Sequence, residues 1–192
     1  MAYDPRTNTV VLFGGLYNEQ VGGHPNEMAL GDTWIWRDGV WTQVFPAATP
    51  AARWGHTLTY DPLRQTMVLF GGNLNEFSSY DDTWEWDGVS WTLRSPANSP
   101  PARTMHAAAF SHAEGRLIVF GGTTALVWGS LLGDTWAWDG AAWSQLALAP
   151  ALSPTPRVYH DMAYDQQRQR LVLFGGSDAD TWNGNYGDTW EW

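Results

Sequence analysis

The 192-residue chain contains no cysteine, which excludes a disulfide framework, a thiolate nucleophile and any Cys-ligated zinc or iron site. It also lacks lysine. All ten basic residues are arginine, set against twenty Asp and Glu, for a formal net charge of −10 and a pI near 4.6. That balance repels a phosphate backbone, so neither nucleic acid nor an anionic membrane is an expected partner. No apolar run approaches the roughly 18 residues of a membrane-spanning helix, and residues 1–6 lack the basic start and apolar stretch of a secretory signal. Charged residues make up only 16% of the chain and apolar ones 44%, with fourteen Trp, a composition that buries a core and argues against disorder. The length suits one domain.

What the chain does have is internal repetition. An apolar run ending in two glycines occurs four times: Val10-Val11-Leu12-Phe13-Gly14-Gly15, Met67-Val68-Leu69-Phe70-Gly71-Gly72, Leu117-Ile118-Val119-Phe120-Gly121-Gly122 and Leu171-Val172-Leu173-Phe174-Gly175-Gly176. Each is followed by Asp-Thr-Trp-x-Trp, starting at Asp32, Asp82, Asp134 and Asp188. Three of these continue through Asp-Gly to a further Trp (Trp41, Trp91, Trp143), then a Pro-rich connector, then Arg-x-x-His at Arg53/His56, Arg103/His106 and Arg157/His160.

Every part of the period reads as antiparallel β structure. Residues 56–60, 106–110 and 160–164 form a short strand a that turns into the apolar run, strand b. A run apolar at every position has both faces covered. Strand c carries two Trp at i and i+2, hence on one face, and the Asp-Gly hairpin returns the chain as strand d. The double glycine suits a strand end that takes positive φ against a close neighbour. Four short strands per roughly 50 residues is the pattern of a propeller blade.

Together these motifs resemble the kelch repeat, over essentially the whole chain. The resemblance implies an all-β propeller of four-stranded antiparallel blades, closed in most members from about six or seven blades, as in the central propeller of galactose-oxidase-like proteins. It also implies a protein-interaction platform, with carbohydrate-binding proteins and enzymes as a minority. The repeats fall at approximately 1–52, 53–102, 103–156 and 157–192, the first and last incomplete, since residues 1–4 match 162–165 and the final Asp-Thr-Trp-x-Trp has no strand d after it. The expectation is an arc of about four blades, either part of a larger ring or closing by association.

The recurring residues read as scaffold: the paired glycines (Gly14, Gly15, Gly71, Gly72, Gly121, Gly122, Gly175, Gly176), Trp34, Trp84, Trp136 and Trp190 between blades, and His56, His106 and His160. Arg53, Arg103 and Arg157 are expected at the channel mouth, tying strands through backbone carbonyls, with an anion-binding ring as the alternative. Asp32, Asp82, Asp134 and Asp188 read as caps accepting backbone N–H groups.

Function is expected where the repeats differ. The b–c loops (residues 16–30, 73–80, 123–132 and 177–186) and the d–a connectors emerge on one face and carry the non-repeat aromatics. The candidate partner-binding residues are Tyr17, Glu19, Trp54, Phe77, Tyr80, Trp128, Tyr159, Trp182 and Tyr186, which suit a protein partner first and a glycan second.

No catalytic, cofactor or metal site is expected. The copper-radical oxidases that share this propeller need a Tyr crosslinked to Cys, and the iron-dependent ones a Glu-x-x-x-Asp-x-x-x-His loop; the chain has neither. The oxygen-rich residues 178–185 resemble a calcium loop but place Trp182 where a third ligand belongs. The competing reading is a propeller oxidase, lyase or hydrolase whose catalytic residues lie outside this chain.

Overall fold

The computed structural model describes residues 1–21, 24–127, 129–147, 153–178 and 184–192, and no side chain within 20–26. Its strands fall into blades. Blade 1 comprises β1 (Ala2–Asp4), β2 (Thr9–Val21), β3 (His24–Arg37) and β4 (Val40–Val44), and blade 2 comprises β5 (Thr57–Asp61), β6 (Thr66–Phe70), β9 (Thr83–Trp86) and β10 (Trp91–Arg94). Blade 3 is β11 (Ala107–Ser111), β12 (Arg116–Phe120), β13 (Thr135–Trp138) and β14 (Trp143–Leu146); blade 4 is β15 (Asp161–Asp165), β16 (Arg170–Phe174) and β17 (Thr189–Glu191). A small hairpin, β7 (Asn73–Asn75) and β8 (Ser78–Ser79), rises between β6 and β9. The a strands begin one residue later than the sequence reading placed them, because the His closes the connector instead of entering the ladder.

The apolar b strands explain how the sheets stack. Their side chains alternate between two neighbours. In β6, Met67 and Leu69 pack with Val11 and Phe13 of blade 1, while Val68 and Phe70 pack with Leu117 and Val119 of blade 3. Ile118 and Phe120 repeat the contact onto Leu171 and Leu173 of blade 4. The a strands of adjacent blades touch one another, so they line the inner edge of the arc. The Trp of strands c and d sit in the same seams: Trp86 stacks on Trp91 and Trp138 on Trp143, each pair directly cross-strand.

At the ends of β6 and β12 the double glycines are required by close approach. Gly71 and Gly72 have φ of 66° and 90°, and a Cβ would meet the Arg103 carbonyl at 2.6 Å and the Trp54 carbonyl at 2.8 Å. That contact is made because the Gly72 N–H donates to Arg103 O at 2.9 Å, joining blade 2 to the connector that opens blade 3.

Two connections differ from the sequence reading. Residues 16–30 are a two-stranded ribbon, not a loop: β2 and β3 stay paired from Gly15↔Leu30 out to Val21↔His24, past a register shift at Phe13/Gly15. The bulge at the glycines lets the ladder resume beyond the blade. Residues 73–80 likewise contain a hairpin.

Truncating Trp86 to Ala, which empties a sealed seam, is expected to cost about 3–5 kcal/mol in urea or thermal unfolding. The same change at exposed Trp41 is expected to cost under about 1 kcal/mol. Equal costs would contradict this blade register.

Candidate functional site

Each Arg-x-x-His is built as a clamp. Arg53 receives a backbone hydrogen bond from Gly15 of blade 1 at 2.9 Å, while its side chain enters blade 2: Nη1 donates to Gly71 O at 2.9 Å and to Asp82 Oδ1 at 2.5 Å, and Nη2 to Asp82 Oδ2 at 2.8 Å. Arg103 grips Gly121 O and Asp134 in the same way, and Arg157 grips Gly175 O and Asp188. Nε donates two residues back along the chain, to Ala51, Pro101 or Thr155. The three arginine side chains are fully buried, so they do not line an open channel mouth. The expected bonds to backbone carbonyls are present; the bidentate carboxylate was not foreseen.

The four aspartates are therefore not simple caps. Each accepts the indole N–H of the Trp two residues on, at 2.6–2.7 Å. Burial opposes the charge on Asp82 and Asp134, but the hydrogen bonds and charge of Arg53 and Arg103 hold both carboxyls below the usual range. The Arg157 hydrogen bonds lead the same shift in Asp188, to about 2. Asp32 has Trp34 but no arginine, and its Oδ1 is buried without a partner.

The histidines pack edge-on to the Phe that ends the apolar run of the preceding b strand: Phe13–His56, Phe70–His106 and Phe120–His160, with centroids 5.8, 5.5 and 5.5 Å apart. His160 Nε2–H donates to the Phe120 carbonyl at 3.2 Å, and His106 Nε2 pairs with Thr57 Oγ1 at 3.0 Å. Burial, reinforced by the nearby arginines, lowers all three, His56 to about 3 and His160 to about 4. They are neutral rings filling space.

The connectors and b–c segments meet on one face through the bridges Trp54↔Asn73, Thr104↔Thr123 and Val158↔Ser177. There the third residue of each Arg-x-x-His takes positive φ and is chained to its neighbour: Met105 N–H to Gly55 O at 3.0 Å, Tyr159 N–H to Met105 O at 3.2 Å. Tyr159 projects into solvent and Trp54 is half-buried, whereas Thr104 and Val158 are buried. Tyr17 and Phe77 are exposed, Tyr17 on the ribbon opposite Met28 and Phe77 on the β7–β8 turn. Glu19 is exposed on the same ribbon.

Tyr80 and Tyr186 are not free loop rings: Arg53 Cζ lies 4.1 Å from the Tyr80 centroid and Arg157 Cζ 4.3 Å from that of Tyr186. Trp128, Trp182 and most of the calcium-like segment lie outside the described residues. Among the described residues, no group of three or more His, Asp or Glu is placed to hold a metal ion.

Asp82→Asn is expected to destabilise by about 3–5 kcal/mol, because it leaves the buried Arg53 cation unpaired. Asp32→Asn, with no arginine to strand, is expected to change stability by under about 1 kcal/mol in the same chemical denaturation. Equal losses would show that the ion pair is not what Asp82 supplies.

The histidines set a pH window. Their folded pKa values lie below the unfolded 6.5, so the unfolded chain binds more protons between about pH 6.5 and 4. Stability is expected to fall through that window as pH falls, by up to about 1.4 kcal/mol per pH unit for each histidine. Melting temperatures across pH 4–8 test this, and a flat profile between 7 and 5 would refute it.

Comparison with known proteins agrees with this geometry. Residues 5–192 match the family described as the KLHDC2/KLHL20/DRC7 kelch-repeats domain. No curated protein matches the sequence. Among solved structures, that titled "Structure of YjhT" superposes with a TM-score of 0.62 at 16% identity, over 83% of this chain and 48% of the other, so this chain spans about half of its length. That likeness speaks for the fold alone. With four copies of the motif stacked as antiparallel sheets and the family match over nearly every residue, the chain belongs to the kelch-repeat family.

Proposed function

We propose that this chain is a non-catalytic binding scaffold that docks a polypeptide on the face where the b–c segments and connectors emerge, with its end blades open to self-association. Kelch-repeat domains generally serve as protein-interaction scaffolds. The observation that carries the reading here is the set of exposed aromatic rings on that face: Tyr17, Phe77 and Tyr159. Rings of this kind supply large contact area at low entropic cost. Their backbones are anchored by the bridges and by the buried arginines, so the surface is presented on a fixed frame.

A glycan is the second reading, supported by polar groups beside the rings. Asn18 Nδ2 donates to Glu27 Oε1 at 2.9 Å on the ribbon, and a sugar would add hydroxyls to such a pair while its C–H face stacks on an aromatic ring.

The triple variant Tyr17→Ala, Phe77→Ala and Tyr159→Ala removes exposed side chains and is expected to melt within a few degrees of the wild type. Affinity capture with both proteins, alongside a glycan array, tests the reading. Polypeptides held by the wild type and lost by the variant support it; equal retention by both refutes this face, and binding confined to the array favours the glycan.

A further inference from the structure

We propose that the cleft between the a–b turns of blades 3 and 4 binds a single residue of an uncharged sugar. The cleft lies at the strand ends opposite the double glycines, so it is on the other face from the b–c segments. Both of its blades belong to an interior seam, and it stands apart from the polypeptide-binding face.

The a–b turn of blade 3 departs from the other three. In blades 1, 2 and 4 the Asp that ends strand a accepts backbone N–H groups of its own turn and pairs with a turn arginine: Asp4 with Arg6, Asp61 with Arg64, Asp165 with Arg168. Blade 3 has Ser111-His112-Ala113-Glu114 instead. Ser111 Oγ accepts the Glu114 N–H at 3.3 Å, and Glu114 pairs with Arg116 of its own blade.

The consequence is a gap in the seam. From blade 1, Arg6 Nη2 crosses to the Asp87 carbonyl of blade 2 at 3.1 Å. From blade 2, Leu63 stands at the register of Arg6 and reaches blade 3, where a Cβ on Gly115 would meet its Cδ1 at 3.1 Å; Arg64 lies against Gly140. From blade 3 the residue at this register is Ala113, whose methyl group is too short to cross. Its backbone N–H crosses instead, donating to the Tyr164 hydroxyl at 3.0 Å, together with the His112 ring, whose centroid is 5.3 Å from that of Tyr164 and 5.4 Å from that of Phe110. The space left is a cleft of about 240 Å³ lined by His112, Ala113, Tyr164, Gln166 and Gln169.

The lining sets the class of occupant. It contains no carboxylate and no guanidinium, and the charged residues Glu114 and Arg168 of the two turns are paired to Arg116 and to Asp165 and Glu191. A charged ligand would find no counter-ion there, which favours an uncharged one. The Tyr164 oxygen already accepts the Ala113 N–H, so its proton is left to donate. Among the described residues, the ring nitrogens of His112 and the carboxamides of Gln166 and Gln169 have no partner within the chain. Donors and acceptors therefore share the cleft with the ring carbons of His112 and Tyr164. A sugar matches both, with hydroxyls that donate and accept and a C–H face that packs on aromatic carbon. Pockets for drug-sized ligands run to about 300–1,000 Å³, so this smaller cleft takes one ring and not an extended segment.

The test is an NMR titration of the full chain with glucose, galactose, mannose and N-acetylglucosamine, following the ring-proton signals of His112 and Tyr164. A ligand of about a dozen non-hydrogen atoms is expected to bind at about 1 mM or weaker, so the sugars are taken well above that. At least one is expected to shift both signals saturably. Ala113→Leu gives this seam the side chain that Leu63 gives the one before it and is expected to abolish the titration; Ala113 is exposed, so the variant is expected to melt near the wild type. The double variant Gln166→Ala and Gln169→Ala, also at exposed positions, is expected to weaken binding roughly tenfold. The Tyr17, Phe77 and Tyr159 triple variant is expected to bind the sugar as the wild type does. No saturable shift with any of the four sugars would overturn the proposal, as would shifts that survive Ala113→Leu. Loss of binding in the triple variant would overturn it in favour of a sugar on the loop face. Polypeptide capture by the loop face is a separate readout, so either reading can fail while the other stands.

Discussion

The arginine–aspartate clamp is the constraint on which the rest of the structure depends. A guanidinium with no exposed surface is tolerable only when its charge and its donors are met, and here a bidentate carboxylate, a strand-end carbonyl and a local carbonyl meet them. To reach these partners the arginine's own backbone must lie across the end of the preceding blade. That crossing is why the chain spends two glycines at the ends of β6 and β12, where a Cβ would strike the carbonyl of an arginine or of the residue that follows one. The Asp that grips the arginine also holds the first Trp of strand c. One clamp thus sets the b–c register, the entry of the connector and the tilt of an aromatic ring in the seam.

Because each clamp spans two blades, stability is shared between neighbours as in other stacked repeats. The seams are buried and rich in aromatic rings, and the segments beyond the clamps are free to vary in length. The ribbon of blade 1 and the β7–β8 hairpin of blade 2 leave the same face from the same strand-end glycines, yet differ in reach. A rigid inner frame with variable outer segments is the arrangement that lets one fold take different partners.

Most of the frame was legible because it recurs. The apolar b runs, the i, i+2 Trp pairs and the glycine pairs each appear four times, and a pattern repeated at one spacing reads as structure even where a single copy is ambiguous. Pairing between distant motifs was not legible. Arg53 and Asp82 lie 29 residues apart, and nothing local says that the guanidinium turns inward; the available signal was that Arg, never Lys, recurs in the same period as the Asp, as a bidentate fork requires. Tyr80 and Tyr186 were read as loop rings because their spacing from the glycines varies, although both return to cover the clamp. Residues 16–30 misled for a related reason: Asn18, Glu19 and Glu27 look like loop residues, but on a ribbon with both sides in solvent no apolar alternation is needed to sustain pairing.

The same clamps shape the electrostatics of recognition. Eight of the ten arginines, Arg6, Arg53, Arg64, Arg94, Arg103, Arg116, Arg157 and Arg168, are engaged with carboxylates of their own chain. Their positive charge is spent internally, and the net −10 falls on the remaining surface, including Glu19, Glu27 and Glu76 around the exposed rings. A partner on that face gains from positive or neutral character.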